Sequence, residues 1–352
     1  MVRSASSPDR DRHPYWPLEG LLTTVPAVIS LSVVVPATDE PPTLSRCRDA
    51  IAASDHPAEE VIVVDAPSTL SASAARNAGA ERATGDVIVF VDADVEVHRD
   101  AFTRIRAAFD RDPKLAAVFG AYDDTPDDDG TVSAFRNLLH HHVHVSGAGP
   151  AETFWTGLGA VRRTSFADVG GFDEARYPHP SVEDIDLGQR LRARGERITL
   201  DPTIQGTHLK VWTLRSMVTT DFLRRGIPWV ALQVRRRQVS RALNCGWRHR
   251  VSAIATTAAL GALVLWWPAL LVAAVSALVW LNRRFYLLLA VRLGPPRAVA
   301  GVALHGLHHL VSIAAVPFGL AVALTARAGP SPVQQPSVPS IAPLITLEEP
   351  AA

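Results

Sequence analysis

A chain of 352 residues with 47% hydrophobic and 20% charged residues is long enough to bury one large core or two smaller ones. The formal charge of +0 is unevenly spread, with acids crowded between Asp86 and Asp201 and arginines between Arg224 and Arg250, which excludes a chain-wide nucleic-acid footprint. The two cysteines, Cys47 and Cys245, are too far apart in sequence for a zinc knuckle or a disulfide framework, so reduced thiols are expected.

Residues 1–28 are polar and proline-bearing, lack the apolar core of a secretory signal, and read as a loosely ordered leader. Short β-rich apolar runs follow at 31–36 (LSVVVP), 60–65 (EVIVVD), 86–92 (DVIVFVD) and 115–122 (LAAVFGAY). Helical stretches such as TLSRCRDAIAAS and DAFTRIRAAFDRD separate them. Alternating strands and helices predict an α/β domain with a mostly parallel central sheet covered on both faces. Ligands of such sheets sit beyond the carboxyl ends of the strands, and three of these strands end on polar residues: Pro36 to Glu40, Asp65, and Asp92 to Asp94. Aspartates at i and i+2 past a strand end, Asp92 and Asp94, suit a hard divalent ion such as Mg²⁺ or Mn²⁺, and they equally suit a helix cap or a solvated loop.

Further along, RNLLHHHVHVSG brings four histidines, of which only His140 and His144 share a helical face. No cysteine or paired carboxylate completes a metal set there, so structural or acceptor-lining roles are expected. PSVEDIDLG places Ser181, Glu183 and Asp184 at the start of a predicted helix, where they could cap it or compensate its dipole. FLRRGIPWVALQVRRRQ is amphipathic, with arginines suited to anionic head groups or a lipid phosphate.

Residues 251–281 carry no charge, and at about 1.5 Å per residue they give about 46 Å of helix. That run is either one long kinked span or a tight pair turning near Trp266, Trp267 and Pro268. Residues 298–326 form a second uncharged run, and NRRFYLLLAVRLGPPR between the two could lie in the interface plane. Two or three crossings are predicted, and the arginines before residue 251 put the preceding domain on the cytoplasmic face. The expected organisation is a leader (1–28), an α/β domain (29–226), a basic juxtamembrane segment (227–250), a transmembrane region (251–326) and a disordered Pro/Ser-rich tail (327–352).

Several spaced motifs together resemble the family-2 glycosyltransferases, nucleotide-sugar enzymes of the GT-A fold, from about Ser32 to Gly226. VVVPATDE resembles the first strand and P-x-x-N-E loop, with Asp39 in place of Asn; VIVVDAPST resembles V-V-D-D-G-S, with Ala66 in place of the second Asp. ARNAGAERATGDVIVFVDAD is similar to the R-N-x-G helix and D-x-D strand, and VGGFDEARYPHPSVEDIDLGQRLRARG to the G-G-F-D-E segment with its E-D acceptor motif. The resemblance implies an inverting enzyme with a nucleotide-diphosphate sugar donor and a divalent metal cofactor. Pro36, Glu40 and Asp65 would hold the nucleotide, Arg76 would face the diphosphate or sugar, and Asp92 the ribose or a metal water. Asp94 would bind the metal, with His208 either a further ligand or a hydrogen-bonded histidine beside the membrane.

Asp184 is the expected general base, with Glu183 beside it in the acceptor site. Trp155 and Gly157, in FWTGLGAVRR, would floor the donor sugar. The expected protein is a multi-pass inner-membrane glycosyltransferase acting on a lipid, lipid-linked or other acceptor hydroxyl, with no nucleic-acid partner. Two alternatives stand beside it. A processive polysaccharide synthase would carry Q-x-x-R-W, whereas QVRRR at 233–237 lacks the Trp; a non-catalytic nucleotide-binding scaffold would bind without turnover.

Overall fold

Runs of valine and isoleucine become strands here because both of their faces are covered. In the computed structural model, which describes residues 29–238, 240 and 246–326, β1 (Leu31–Pro36) and β3 (Val87–Val91) lie side by side with almost every side chain buried. The expected leader and tail, Arg241 and Cys245 fall outside the described residues. Alternate residues of these strands enter two different cores. Val33, Val35, Val89 and Val91 pack under α1 (Leu44–Ala52) and α3 (Ala101–Arg111), meeting Cys47, Ile51, Phe102, Ile105 and Phe109. Val34, Ile88 and Phe90 face α2 (Ala72–Arg82), and share their core with Phe166 and Leu187.

The remaining elements, in chain order, are β2 (Glu60–Val64), which precedes α2, then β4 (Val95–Val97), β5 (Leu115–Tyr122), α4 (Thr131–Ser146), β6 (Gly149–Pro150), β7 (Leu158–Arg162) and α5 (Arg163–Asp168). They continue through α6 (Glu183–Ala193), β8 (Arg197–His208), α7 (Leu214–Thr219), a π-helix (Thr220–Gly226) and α8 (Ile227–Arg236). Four helices close the described chain: α9 (Trp247–Val264), α10 (Pro268–Leu281), α11 (Arg283–Leu293) and α12 (Pro295–Ala326).

The strand order is β2-β1-β3-β7-β5-β8-β4, with β6 added to β8. β1 pairs in parallel with β2 and β3, and β5 with β8, as the α/β alternation predicts. β7, β4 and β6 run antiparallel to their neighbours, so the sheet is mixed and not mostly parallel. The two halves therefore bring different strand ends to one edge: the carboxyl ends of β1, β2 and β3, and the amino end of β7.

A third core joins the sheet domain to the C-terminal helices, where Phe135, Leu138 and Leu139 of α4 meet Phe285 and Leu289 of α11 and Ala298 of α12. Of the two readings open for residues 251–281, the tight pair is the one adopted. α9 and α10 break at residues 265–267, with Trp266 at φ +55°. Among the described residues one helix, Pro295–Thr325, is long and apolar enough to cross a membrane, or two if the pair α10–α11, bent by 76°, counts as one span. That does not support the multi-pass anchor expected from hydropathy.

Candidate active site

Pairing between β4 and β8 sets the distance between the two expected metal ligands. Val95 and His208 are opposite partners in the antiparallel ladder, so Asp94, one residue earlier, comes alongside the His208 ring with Oδ2 at 3.5 Å from Nε2. The Nδ1 atom of His208 lies 2.6 Å from Asn137 Oδ1 on α4. With that oxygen as acceptor Nδ1 carries a proton, and Nε2 is left facing Asp94, a donor to it when protonated and a potential metal ligand when not. The ring is stacked on Tyr122 at 4.1 Å between centroids, which fixes its plane. One carboxylate oxygen and one oriented imidazole nitrogen suit Mn²⁺ or Mg²⁺ completed by diphosphate oxygens, and no larger His/Cys/Asp/Glu cluster of metal-binding type occurs among the described residues. Burial pushes the Asp94 carboxyl up, but His208 and Lys210 outweigh it and hold it below its usual range.

Arg76 sits at the centre of the constellation. Its guanidinium is buried on α2, with one NH2 group 2.7 Å from Asp92 Oδ1 at the end of β3 and the other nitrogen 3.0 Å from Glu183 Oε1 at the start of α6. Sequence reasoning aimed this arginine at the diphosphate or sugar; in the folded chain its fork joins two carboxylates. The other oxygen of Glu183 accepts from the backbone N–H of Ser181 at 2.6 Å, so both oxygens of Glu183 are engaged. Ser181 is not the helix cap that the sequence suggested, because its hydroxyl donates to the Arg224 carbonyl instead.

Asp184 lies next to Glu183 in the first turn of α6. Its Oδ1 accepts from the Ile185 N–H at 2.7 Å. Burial, then the adjacent charge of Glu183, push its carboxyl up to about 7, against the opposing pull of Arg76 and Arg225. α6 cannot drift from the strand-side loop, since a Cβ on Gly188 would collide with the Thr153–Phe154 backbone.

Asp184 opens into a cavity of about 330 Å³. One wall is aromatic: Trp155 lies 4.8 Å from both Tyr122 and His140, and 5.0 Å from His144. The other wall comes from Trp229 and Val230 of α8 and Ile313 and Val316 of α12. His140 and His144 line this cavity, and burial pushes both rings down so that they stay neutral. The Trp155 ring folds over Gly157, whose carbonyl accepts from Asp92 N–H at 3.2 Å.

Pro36, Glu40 and Asp65, outside that cavity's lining, occupy the adjacent ends of β1 and β2, with Glu40 (φ +50°) and Asp65 exposed. Sequence reasoning missed Asn137, Tyr122 and Arg225. Asn137 is adjacent in sequence to Leu138 on a face that reads as plain core, and nothing local marks it as the partner of a histidine 71 residues away.

Residues 67–170 match the family described as Glycosyl transferase family 2. Two curated relatives, both pre-mycofactocin glycosyltransferases from strains of Mycobacterium tuberculosis, are 28% identical over 168 residues, covering 44% of this chain and 35% of theirs. The chain thus spans about a third of the length of those relatives. Among solved structures, a mannosyltransferase from Pyrobaculum calidifontis in complex with GDP-Man and Mn²⁺ aligns at a TM-score of 0.50 with 18% identity, covering 85% of this chain and 88% of its own. Residues 67–170 thus resemble family-2 glycosyltransferases in sequence, and the chain shares the fold of the archaeal mannosyltransferase.

Proposed function

We propose that this chain, a family-2 glycosyltransferase by its domain, moves a sugar with inversion from a nucleotide-diphosphate donor to the hydroxyl of a lipid or lipid-linked acceptor. The observation that supports this reading best is the bridge from Asp92 through Arg76 to Glu183, which ties the donor end of the cleft to the helix bearing Asp184. In this reading Glu40 and Asp65 accept hydrogen bonds from the nucleoside and Trp155 covers the sugar face. A divalent ion held by Asp94 and His208 would supply Lewis-acid compensation of the charge on the departing diphosphate.

Asp184 takes the proton of the acceptor hydroxyl as its oxygen attacks the anomeric carbon. The bond from that carbon to the phosphate oxygen breaks, and the nucleoside diphosphate leaves with the electron pair. A carboxyl raised toward neutrality holds a proton firmly enough to be an effective base near physiological pH. The apolar wall of Trp229, Val230, Ile313 and Val316 suits the hydrophobic part of an amphiphilic acceptor. The arginines before the C-terminal helices suit a catalytic domain held at the anionic cytoplasmic surface of a membrane.

The test is metal-dependent turnover by the purified full chain across nucleotide sugars. GDP-mannose with Mn²⁺ is tried first because the archaeal structure holds that pair. Tight nucleotide binding without hydrolysis or transfer for any donor would favour the scaffold reading.

A further inference from the structure

We infer that the C-terminal helices seat the protein on one leaflet of a bilayer with anionic head groups, and that none of them crosses it. The geometry of α12 carries most of the argument. The π-helix and α8 together form a rod pinned to the catalytic domain at both ends. At one end Asp221 pairs with Arg136 of α4 at 2.7 Å; at the other, Arg236 pairs with Asp186 of α6 at 2.7 Å. Between them Leu232 and Trp229 pack on Tyr177, Val182 and Ile185. The rod therefore lies flat against the domain.

α12 follows this rod in parallel. His308 Nδ1 is 2.8 Å from Asp221 Oδ2, Ala315 lies against Gly226, and Gly319 lies against Val230. Each step along α12 matches a step along the rod in the same direction. Its buried positions, among them Ala298, His305, His308, Ala315 and Ala323, continue over 25 residues, or about 38 Å of helix. A helix held along that length cannot stand upright in a bilayer unless α8, with Arg235, Arg236 and the Asp186 ion pair, enters the hydrocarbon beside it. Charges at the bilayer centre are strongly disfavoured, by about 2.5–3.5 kcal/mol each even on the mildest scale. α12 is better satisfied in the interface plane, with Val299, Phe318, Val322 and Leu324 turned outward and exposed.

The α9–α10 hairpin is the part that penetrates. Its arms are antiparallel: Arg248 donates to the Leu281 carbonyl at 3.2 Å and the Asn282 amide to Ser252 Oγ at 2.8 Å. Its root rests on α12 through His249 and His309, with ring centroids 4.5 Å apart. α10 has 14 residues, giving about 21 Å, against about 30 Å of hydrocarbon. The hairpin reaches past one leaflet's depth at most. Its outer surface is apolar and exposed, from Ile254 at 67% to Trp266 at 89%.

Charge identifies the occupant. Arg248, Arg250, Arg283 and Arg284 ring the hairpin root, all exposed, and the sequence holds no Asp or Glu between Asp221 and Glu348. An uncharged insertion collared by unopposed arginines matches an anionic leaflet better than a second protein chain.

Two kinds of measurement on the full-length chain, the first of topology and the second of vesicle binding, test this. An epitope placed after Ala352 should be reached by protease on the same face as the catalytic domain, and a Leu265→Cys thiol should resist membrane-impermeant maleimide from both faces until detergent is added. An epitope on the opposite face, or labelling of Leu265→Cys from the far side, would overturn the inference. In the second, binding to vesicles of phosphatidylcholine with phosphatidylglycerol should fall several-fold for each of Arg248→Gln, Arg283→Gln and Arg284→Gln, with little change on pure phosphatidylcholine. Equal binding by all variants, or a discrete lipid-free dimer that ignores both kinds of vesicle, would also overturn it.

Discussion

Arg76 and Glu183, 107 residues apart in sequence, form an ion pair of 3.0 Å with side chains only 6% and 5% exposed. The other arm of the same guanidinium holds Asp92 at 2.7 Å, so one planar group sets the spacing between the two halves of the cleft. Lysine offers a single point charge and cannot span both carboxylates.

Arg76→Met should therefore do more than weaken donor binding. Leaving Glu183 buried without its partner destabilises by about 3–5 kcal/mol if the pair behaves as other buried pairs do. Urea unfolding of the variant and the wild type measures it. A loss below about 1 kcal/mol, the range of surface pairs, would mean that the bridge is not structural.

Asp184→Asn should lower transfer by about 10²- to 10⁴-fold with little change in donor affinity, because only proton acceptance is removed. Undiminished transfer by this variant would remove Asp184 as the base.

Two pH effects follow from the Asp184 carboxyl raised to about 7. The base form is lost below that value, so the wild-type rate should climb as pH rises through about 7. A folded-state value above the ordinary 3.8 means the native state binds the proton more tightly than the unfolded chain. Its stabilising contribution is then complete at acid pH and declines as pH rises toward about 7. Melting curves from pH 5 to 9 should show Asp184→Asn gaining on the wild type up to about pH 7 and holding that gain above it. Parallel curves would remove the raised carboxyl.

Asp94→Ala should weaken nucleoside-diphosphate binding in Mn²⁺ and leave it nearly unchanged in EDTA. Equal loss in both conditions would sink the metal role.

Asn137→Leu tests the same site from behind. Freed from its partner, the His208 ring can turn or change tautomer, and Mn²⁺ affinity should drop by about 10- to 100-fold while metal-free nucleotide binding holds. Titration calorimetry with Mn²⁺ at fixed nucleotide reads this directly. Unchanged affinity would leave His208 as a packing residue against Tyr122.

The sequence declared some of these relationships and concealed others for physical reasons. β1, β2, β3 and β5 were legible because unbroken apolar runs ending on polar residues are local signals, and their observed bounds fall within one residue of the reading. β7 and β8 were not, since nothing in GLGAVRR or in RITLDPTIQGTH encodes which neighbour it will pair with or in which direction. Asp94 and Asp184 could be chosen by motif. The actual partner of Arg76, Glu183, depended on long-range packing. Hydropathy found the apolar helices, but it has no way to distinguish a helix that crosses from one that lies along a protein surface, a difference set here by Asp221, Gly226 and Val230.

The close fit at Gly188 bears on how such a cleft could change its clientele. Helix α6, with Asp184, and the Thr153–Phe154 segment, leading into Trp155, are locked together with no room for a single methyl. That half is a fixed jaw. In the proposed reaction, variation in the girth or length of the acceptor is then absorbed by the opposite jaw, where Trp229, Val230, Ile313 and Val316 face the cavity. Substitutions at those four positions would redirect the chemistry to new recipients while the reacting groups stay in place.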